Sequence, residues 1–106
     1  MSTSCRRYEI LLPRRFNDGR RVPSRLVTET LLELRERFGA ASCETQTIRG
    51  QWQHQGEVFH DELSRVFVDV EDTAENRQFF LDFKQRLKAR FQQVDIWLTS
   101  HPIDLL

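Results

Sequence analysis

The stretch Arg49–Leu63, RGQWQHQGEVFHDEL, decides the fold, because it reads as two strands joined by a tight turn. Gln55-Gly56 sits at its middle, and a glycine there supplies the positive φ that two-residue hairpin turns require. With that turn, opposed residues have numbers that sum to 111. On one face Trp52 meets Phe59, Ile48 meets Leu63 and Glu44 meets Phe67. On the other, Gln51 meets His60, Arg49 meets Glu62, Thr47 meets Ser64, Thr45 meets Val66 and Cys43 meets Val68. A one-residue slip would oppose Trp52 to Val58 and Arg49 to Asp61. The first register is preferred, since it puts aromatics and aliphatics into cross-strand pairs.

Outward from the hairpin, Val66, Val68 and Val70 continue the second strand with an inward valine face. Cys43–His54 forms the strand before the turn. Upstream, Tyr8, Ile10 and Leu12 alternate with Glu9 and Leu11 in a strand that stops at Pro13, and Phe16-Asn-Asp-Gly19 is a turn. Pro23 opens a helix over 23–38 whose apolar stripe is Val27, Leu31, Leu34 and Phe38, with Gly39 as its stop. Asp72-Thr-Ala-Glu75 has capping-box spacing and starts a second helix with Phe80, Phe83, Leu87 and Phe91 as its buried stripe. Val94–Thr99 is the last strand, with Val94, Ile96 and Leu98 on one face and Asp95, Trp97 and Thr99 on the other. His101–Leu106 is left as an apolar tail.

The order β-α-β-β-α-β predicts an α+β, ferredoxin-like sandwich in which a four-stranded antiparallel sheet carries two helices on one face. With 106 residues the chain has room for a single domain, residues 1–106. A hydrophobic fraction of 39% and a charged fraction of 30% describe a folded globule. Sixteen basic and sixteen acidic residues cancel, so no global field draws nucleic acid or an anionic membrane. The distribution is uneven: residues 1–26 hold seven arginines against Glu9 and Asp18, a local +5 that the acidic remainder is expected to neutralise by internal pairing. Cys5 and Cys43 are too few for a disulfide framework, and the first residues have no apolar signal-peptide core. No apolar run approaches a membrane span. A cytoplasmic location is expected.

Three readings of function follow. The open face of the sheet should carry Trp52, Phe59, Ile48, Leu63 and Phe67, an apolar patch of the kind that marks an interface. A homodimer through that face, acting as a binding or regulatory module without catalysis of its own, is the leading expectation; Phe67→Asp should dissociate it. The small-molecule ligand is unknown. The second reading is a small enzyme: His60 and Glu62 share a face at strand spacing, and Arg49 across from Glu62 is placed to hold an anionic substrate. The third is anion or nucleic-acid binding through Arg14, Arg15, Arg20 and Arg21, in the region Arg14–Arg25. Nucleic acid is the weaker option, because the stacking signatures of RNA-binding versions of this topology are absent. No cofactor is expected. No metal is expected either, since alternation separates His60 and Glu62 from His54 and Asp61.

The run Glu44–Gly56, ETQTIRGQWQHQG, followed by Asp61-Glu-Leu63, resembles a segment of small bacterial proteins of about this length whose function is unassigned. That resemblance implies a self-standing bacterial protein. It lends no activity and no site residues.

Overall fold

The structure, a computed structural model, describes residues 4–106. Its elements are β1 (Cys5–Pro13), α1 (Ser24–Phe38), β2 (Ser42–Cys43), β3 (Ile48–His54), β4 (Glu57–Glu71), α2 (Ala74–Arg90) and β5 (Trp97–Ile103). The sheet is antiparallel in the order β2-β4-β1-β5, with β3 also paired to β4. This is the ferredoxin-like order, with five strands where four are expected. The expected strand Cys43–His54 is split into β2 and β3, which lie end to end along the long β4.

The split has a physical cause. The expected register holds from Ile48↔Leu63 to Trp52↔Phe59, and Gln55 and Gly56 take φ of 50° and 81°, as the tight turn requires. Toward β2 it fails by two residues: Cys43 pairs with Val66 and Ser42 with Phe67. Glu44–Thr47 therefore bulge out of the ladder. The Glu44 N–H donates to the Arg65 carbonyl at 2.9 Å, its carboxylate accepts from Arg65 Nη1 at 2.7 Å, and Thr47 Oγ1 accepts from Arg14 Nη1.

One face of the sheet presents Tyr8, Ile10, Leu12, Val66, Val68 and Val70, all buried. Both helices cover it, through Leu26 and Leu34 of α1 and through Phe80, Phe83 and Leu87 of α2, with Phe91 just beyond. Phe80 is the hub, with its ring stacked on Tyr8 at 3.9 Å and on Phe38 at 5.5 Å. The α1 stripe is turned from its expected setting: Leu26, Thr30 and Leu34 lie deepest, and Val27, Leu31 and Phe38 flank them. Buried Thr30 is tolerated because its hydroxyl donates to the Leu26 carbonyl at 2.8 Å and accepts from Arg90 Nη1 at 3.0 Å. Arg90 and Arg86 both pair with Glu33, so the cations of α2 tie the helices together.

Two helix and strand ends are displaced from expectation. Thr73, one residue after Asp72, is the N-cap of α2, and its hydroxyl accepts from the Asn76 N–H at 3.1 Å. The last strand starts at Trp97 and runs on through His101-Pro-Ile103; Ile96 is buried just ahead of it, and Val94 is 87% exposed. Pro102 fits there because β5 is an edge strand.

Candidate interaction face and polar arm

β1 ends at Pro13, opposite Leu63, and beyond one further bond, from the Arg14 N–H to the Glu62 carbonyl at 2.9 Å, β4 has only β3 beside it. The six residues of β4 beyond that pair extend about 20 Å. This two-stranded arm contributes to a long axis of 50 Å against 30 and 25 Å across the others.

Because paired residues share a face, the registers lay out the uncovered side of the sheet row by row. Trp52 and Phe59 form the outermost apolar row. Gly50 and Asp61 come next, then Ile48, Leu63 and Pro13, then Arg65, Leu11 and Trp97. The apolar groups thus make a diagonal strip from the arm to the β5 edge. Trp52 is 49% exposed and Trp97 is 67% exposed. Trp52 lies flat on Phe59 at 4.4 Å, and its indole N–H donates to Asp61 Oδ2 at 2.8 Å, which leaves the ring's outer surface bare and its polar group satisfied. Gly50 keeps the strip low at its narrowest row: a Cβ there would stand 3.4 Å from Leu63 Cδ1.

Phe67 belongs to this face but not to the bare strip. Its ring lies between the guanidinium groups of Arg7, at 4.6 Å, and Arg65, at 4.4 Å. Arg7 holds Asp69 in a two-point pair at 2.7 and 2.9 Å, and Arg65 bridges Glu9 at 2.5 Å and Glu44 at 2.7 Å. The hydrogen bond from Arg7 keeps the Asp69 carboxyl below its ordinary range, against the opposing effect of burial, and Arg65 does the same for Glu9. His101 lies opposite Arg7 on β5, on the same face as both carboxyls. The open face therefore has two zones, an apolar diagonal and a ladder of alternating charge.

The other side of the arm carries the polar residues. Gln51↔His60 and Arg49↔Glu62 pair as expected and share a face, and His60, Glu62 and Arg49 are all exposed. Glu62 lies 3.9 Å from Arg15 Nε. The four arginines of the first loop are spread over separate acceptors. Arg14 reaches Thr47, Arg15 reaches the Gly19 carbonyl at 3.1 Å, and Arg20 holds Asp18 at 2.5 Å while its guanidinium lies over Phe16. Arg21 pairs with Arg15 through an isolated bridge. The basic end is also pinned to the rest of the chain by Arg6–Asp72 and Arg7–Asp69.

An open groove of about 330 Å³ runs between α1 and the β2 edge, lined by Leu31, Leu32, Arg35 and Cys43 among others. Burial pushes the Cys43 thiol up, which keeps it a weak nucleophile. Among the described residues no three His, Cys, Asp or Glu side chains converge as metal ligands. Among the described residues no helix is long and apolar enough to cross a membrane.

The chain matches no protein-family model and no curated protein. Its backbone does match solved structures. The divalent cation tolerance protein CutA1 of Thermus thermophilus superposes with a TM-score of 0.66 at 17% identity, covering 95% of this chain and 85% of that one. A phage SAM lyase in complex with S-methyl-5'-thioadenosine gives 0.69 at 12% identity, covering 99% and 93%. CutA1 of Oryza sativa gives 0.63 at 12% identity, covering 98% and 84%. At these identities the likeness establishes the fold. Its bearers have different tasks, so function has to be argued from this chain's own surfaces.

Trp97, Leu11 and the Arg7–Phe67–Arg65 sandwich were absent from the sites expected from sequence. Period-two alternation already put Trp97 on the open face; the sandwich needed the β1–β4 register, which no local pattern discloses.

Proposed function

We propose that the protein is a small cytoplasmic binding module that works as a homodimer, two copies meeting through their open sheet faces. The observation that supports this most is the diagonal strip from Trp52 and Phe59 to Leu11 and Trp97, with two large aromatic rings bare to water in a single copy. The charge ladder beside it supports the same reading, since a two-fold contact sets each patch against its like and rewards self-complementary alternation of sign. Regulatory or ligand-binding action would then belong to the pair. Light scattering tests the proposal: a mass of twice 12.7 kDa is expected, and 12.7 kDa at every concentration would sink it.

A second reading is acid–base chemistry by His60, oriented by Glu62, with Arg49 holding an anionic substrate. What favours it is the Arg49↔Glu62 and Gln51↔His60 register, which gives the three side chains one face. His60→Asn abolishing a measured turnover would support it, and an unchanged turnover would end it.

A further inference from the structure

The end of the molecule where β1 begins, β5 finishes and α2 starts holds a buried hydroxyl without a partner. Tyr8 lies in β1 between Val68 and Ser100, and is 3% exposed. Its ring is fixed face to face on Phe80, which leaves the hydroxyl little freedom to seek a partner. That hydroxyl is buried and makes no hydrogen bond with the protein. A buried hydroxyl left unpaired is costly, and native structures rarely leave one without a reason.

The surroundings indicate what is missing. Burial pushes the Tyr8 hydroxyl's pKa up, the positive charges of Arg6 and Arg77 act in the opposite direction, and the Asp72 carboxylate acts with burial. Arg77 stands in the first turns of α2, one turn before Phe80, and makes no ion pair among the described residues. Arg6 donates to Asp72 Oδ1 and to Ser100 Oγ, each at 3.1 Å. The 17-residue helix α2 adds its positive end, and Thr73 caps only the Asn76 amide there. Of the nearby carboxylates, Asp72 is held by Arg6, Glu75 lies 3.7 Å from Arg37, and Glu71 pairs with Cys5 on the opposite side of the sheet. A phenol, two guanidinium groups and a helix N-terminus all donate. Of these, the Tyr8 hydroxyl and the Arg77 side chain have no acceptor among the described residues, beside an Arg6 held by Asp72 and Ser100.

We infer that this end of the protein binds a small oxyanion of the phosphate class, accepted between the Tyr8 hydroxyl, Arg6 and Arg77 at the start of α2. The Arg77 side chain is exposed and supplies the charged donor on the solvent side of the site. The site lies on the helix-covered side, so it is independent of the dimer face and of the arginines around the first loop.

The test is thermal unfolding in inorganic phosphate against chloride at equal ionic strength, for the intact chain and three variants. The native chain should gain a saturable, phosphate-specific rise in Tm. Tyr8→Phe keeps the stack on Phe80 and removes only the hydroxyl. It should raise the half-saturating phosphate concentration about tenfold, the worth of one hydrogen bond to a charged group. Without phosphate it should be at least as stable as the native chain. Arg77→Gln, at an exposed position, should weaken binding similarly and serves if Tyr8→Phe does not fold. Lys88→Gln, at the far end of α2, should leave binding unchanged. No phosphate-specific rise in the native chain, equal half-saturation in Tyr8→Phe or Arg77→Gln, or a matching loss in Lys88→Gln would each overturn the inference.

Discussion

Pro13 and Leu63 are the last residues that β1 and β4 pair, and past the Arg14 N–H bond to the Glu62 carbonyl β4 leans on β3 alone. A two-stranded ribbon is marginal in water without a covering element. The arm therefore depends on its turn and on the Trp52–Phe59 stack to hold its register. Gln55 occupies the left-handed region with φ 50°, where asparagine is the better residue, and Gly56 follows at φ 81°. Gln55→Asn should stabilise the protein by roughly 0.5 kcal/mol, and Gly56→Ala should cost about 1 kcal/mol. Urea midpoints check both, and a stabilising Gly56→Ala would show that the turn is not of this type.

The charge ladder should govern the acid limb of stability. Asp69 and Glu9 have folded-state pKa values below their ordinary 3.8 and 4.5, held down by Arg7 and Arg65. A depressed carboxyl stabilises the fold fully above its unfolded value, and that contribution is lost as pH falls through the folded value. Stability should therefore drop on acidification below about pH 4.5. Asp69→Asn and Glu9→Gln should each be less stable at neutral pH and show a flatter decline below it. Denaturant titrations across that window measure the slopes, and unchanged slopes would mean the pairs are energetically idle.

Phe80 should be the most costly single truncation of the aromatic cluster. Its ring is 1% exposed and lies against both Tyr8 and Phe38, so removing it leaves a cavity between the sheet and both helices. Phe80→Ala should cost about 3–5 kcal/mol. Phe79→Ala, at a half-buried position on the margin, should cost clearly less. Equal losses would contradict the assignment of Phe80 as the hub.

Much of this was legible before any coordinates. Trp52 opposite Phe59 and Ile48 opposite Leu63 specify the hairpin register, because a slip would break both pairs at once. Phe80, Phe83, Leu87 and Phe91 repeat at helical spacing and face the core as read. The failures have local causes. Nothing in Glu44-Thr-Gln-Thr47 marks a bulge; it exists because Arg65 and Arg14, distant in sequence, supply partners for Glu44 and Thr47. Asp72 and Thr73 are both good caps, and only geometry separates them. Val94 is apolar yet exposed, so alternation started the last strand three residues early. The arrangement of Arg7 and Arg65 about Phe67 joins β1 to β4, a relation visible only once the strands are aligned.

The central claim is that the diagonal strip is a subunit contact, and Trp97 tests it most directly. At 67% exposure in a single copy, Trp97→Asp should change the stability of one chain by no more than about 0.5 kcal/mol. Buried in a dimer, the same substitution would leave a carboxylate without a partner in an apolar seam and would force the copies apart. Sedimentation equilibrium should give the native chain twice the 12.7 kDa monomer mass and Trp97→Asp the monomer mass, with an unchanged circular dichroism spectrum. A native chain that sediments as a monomer, or a Trp97→Asp variant that remains a dimer, would contradict the account.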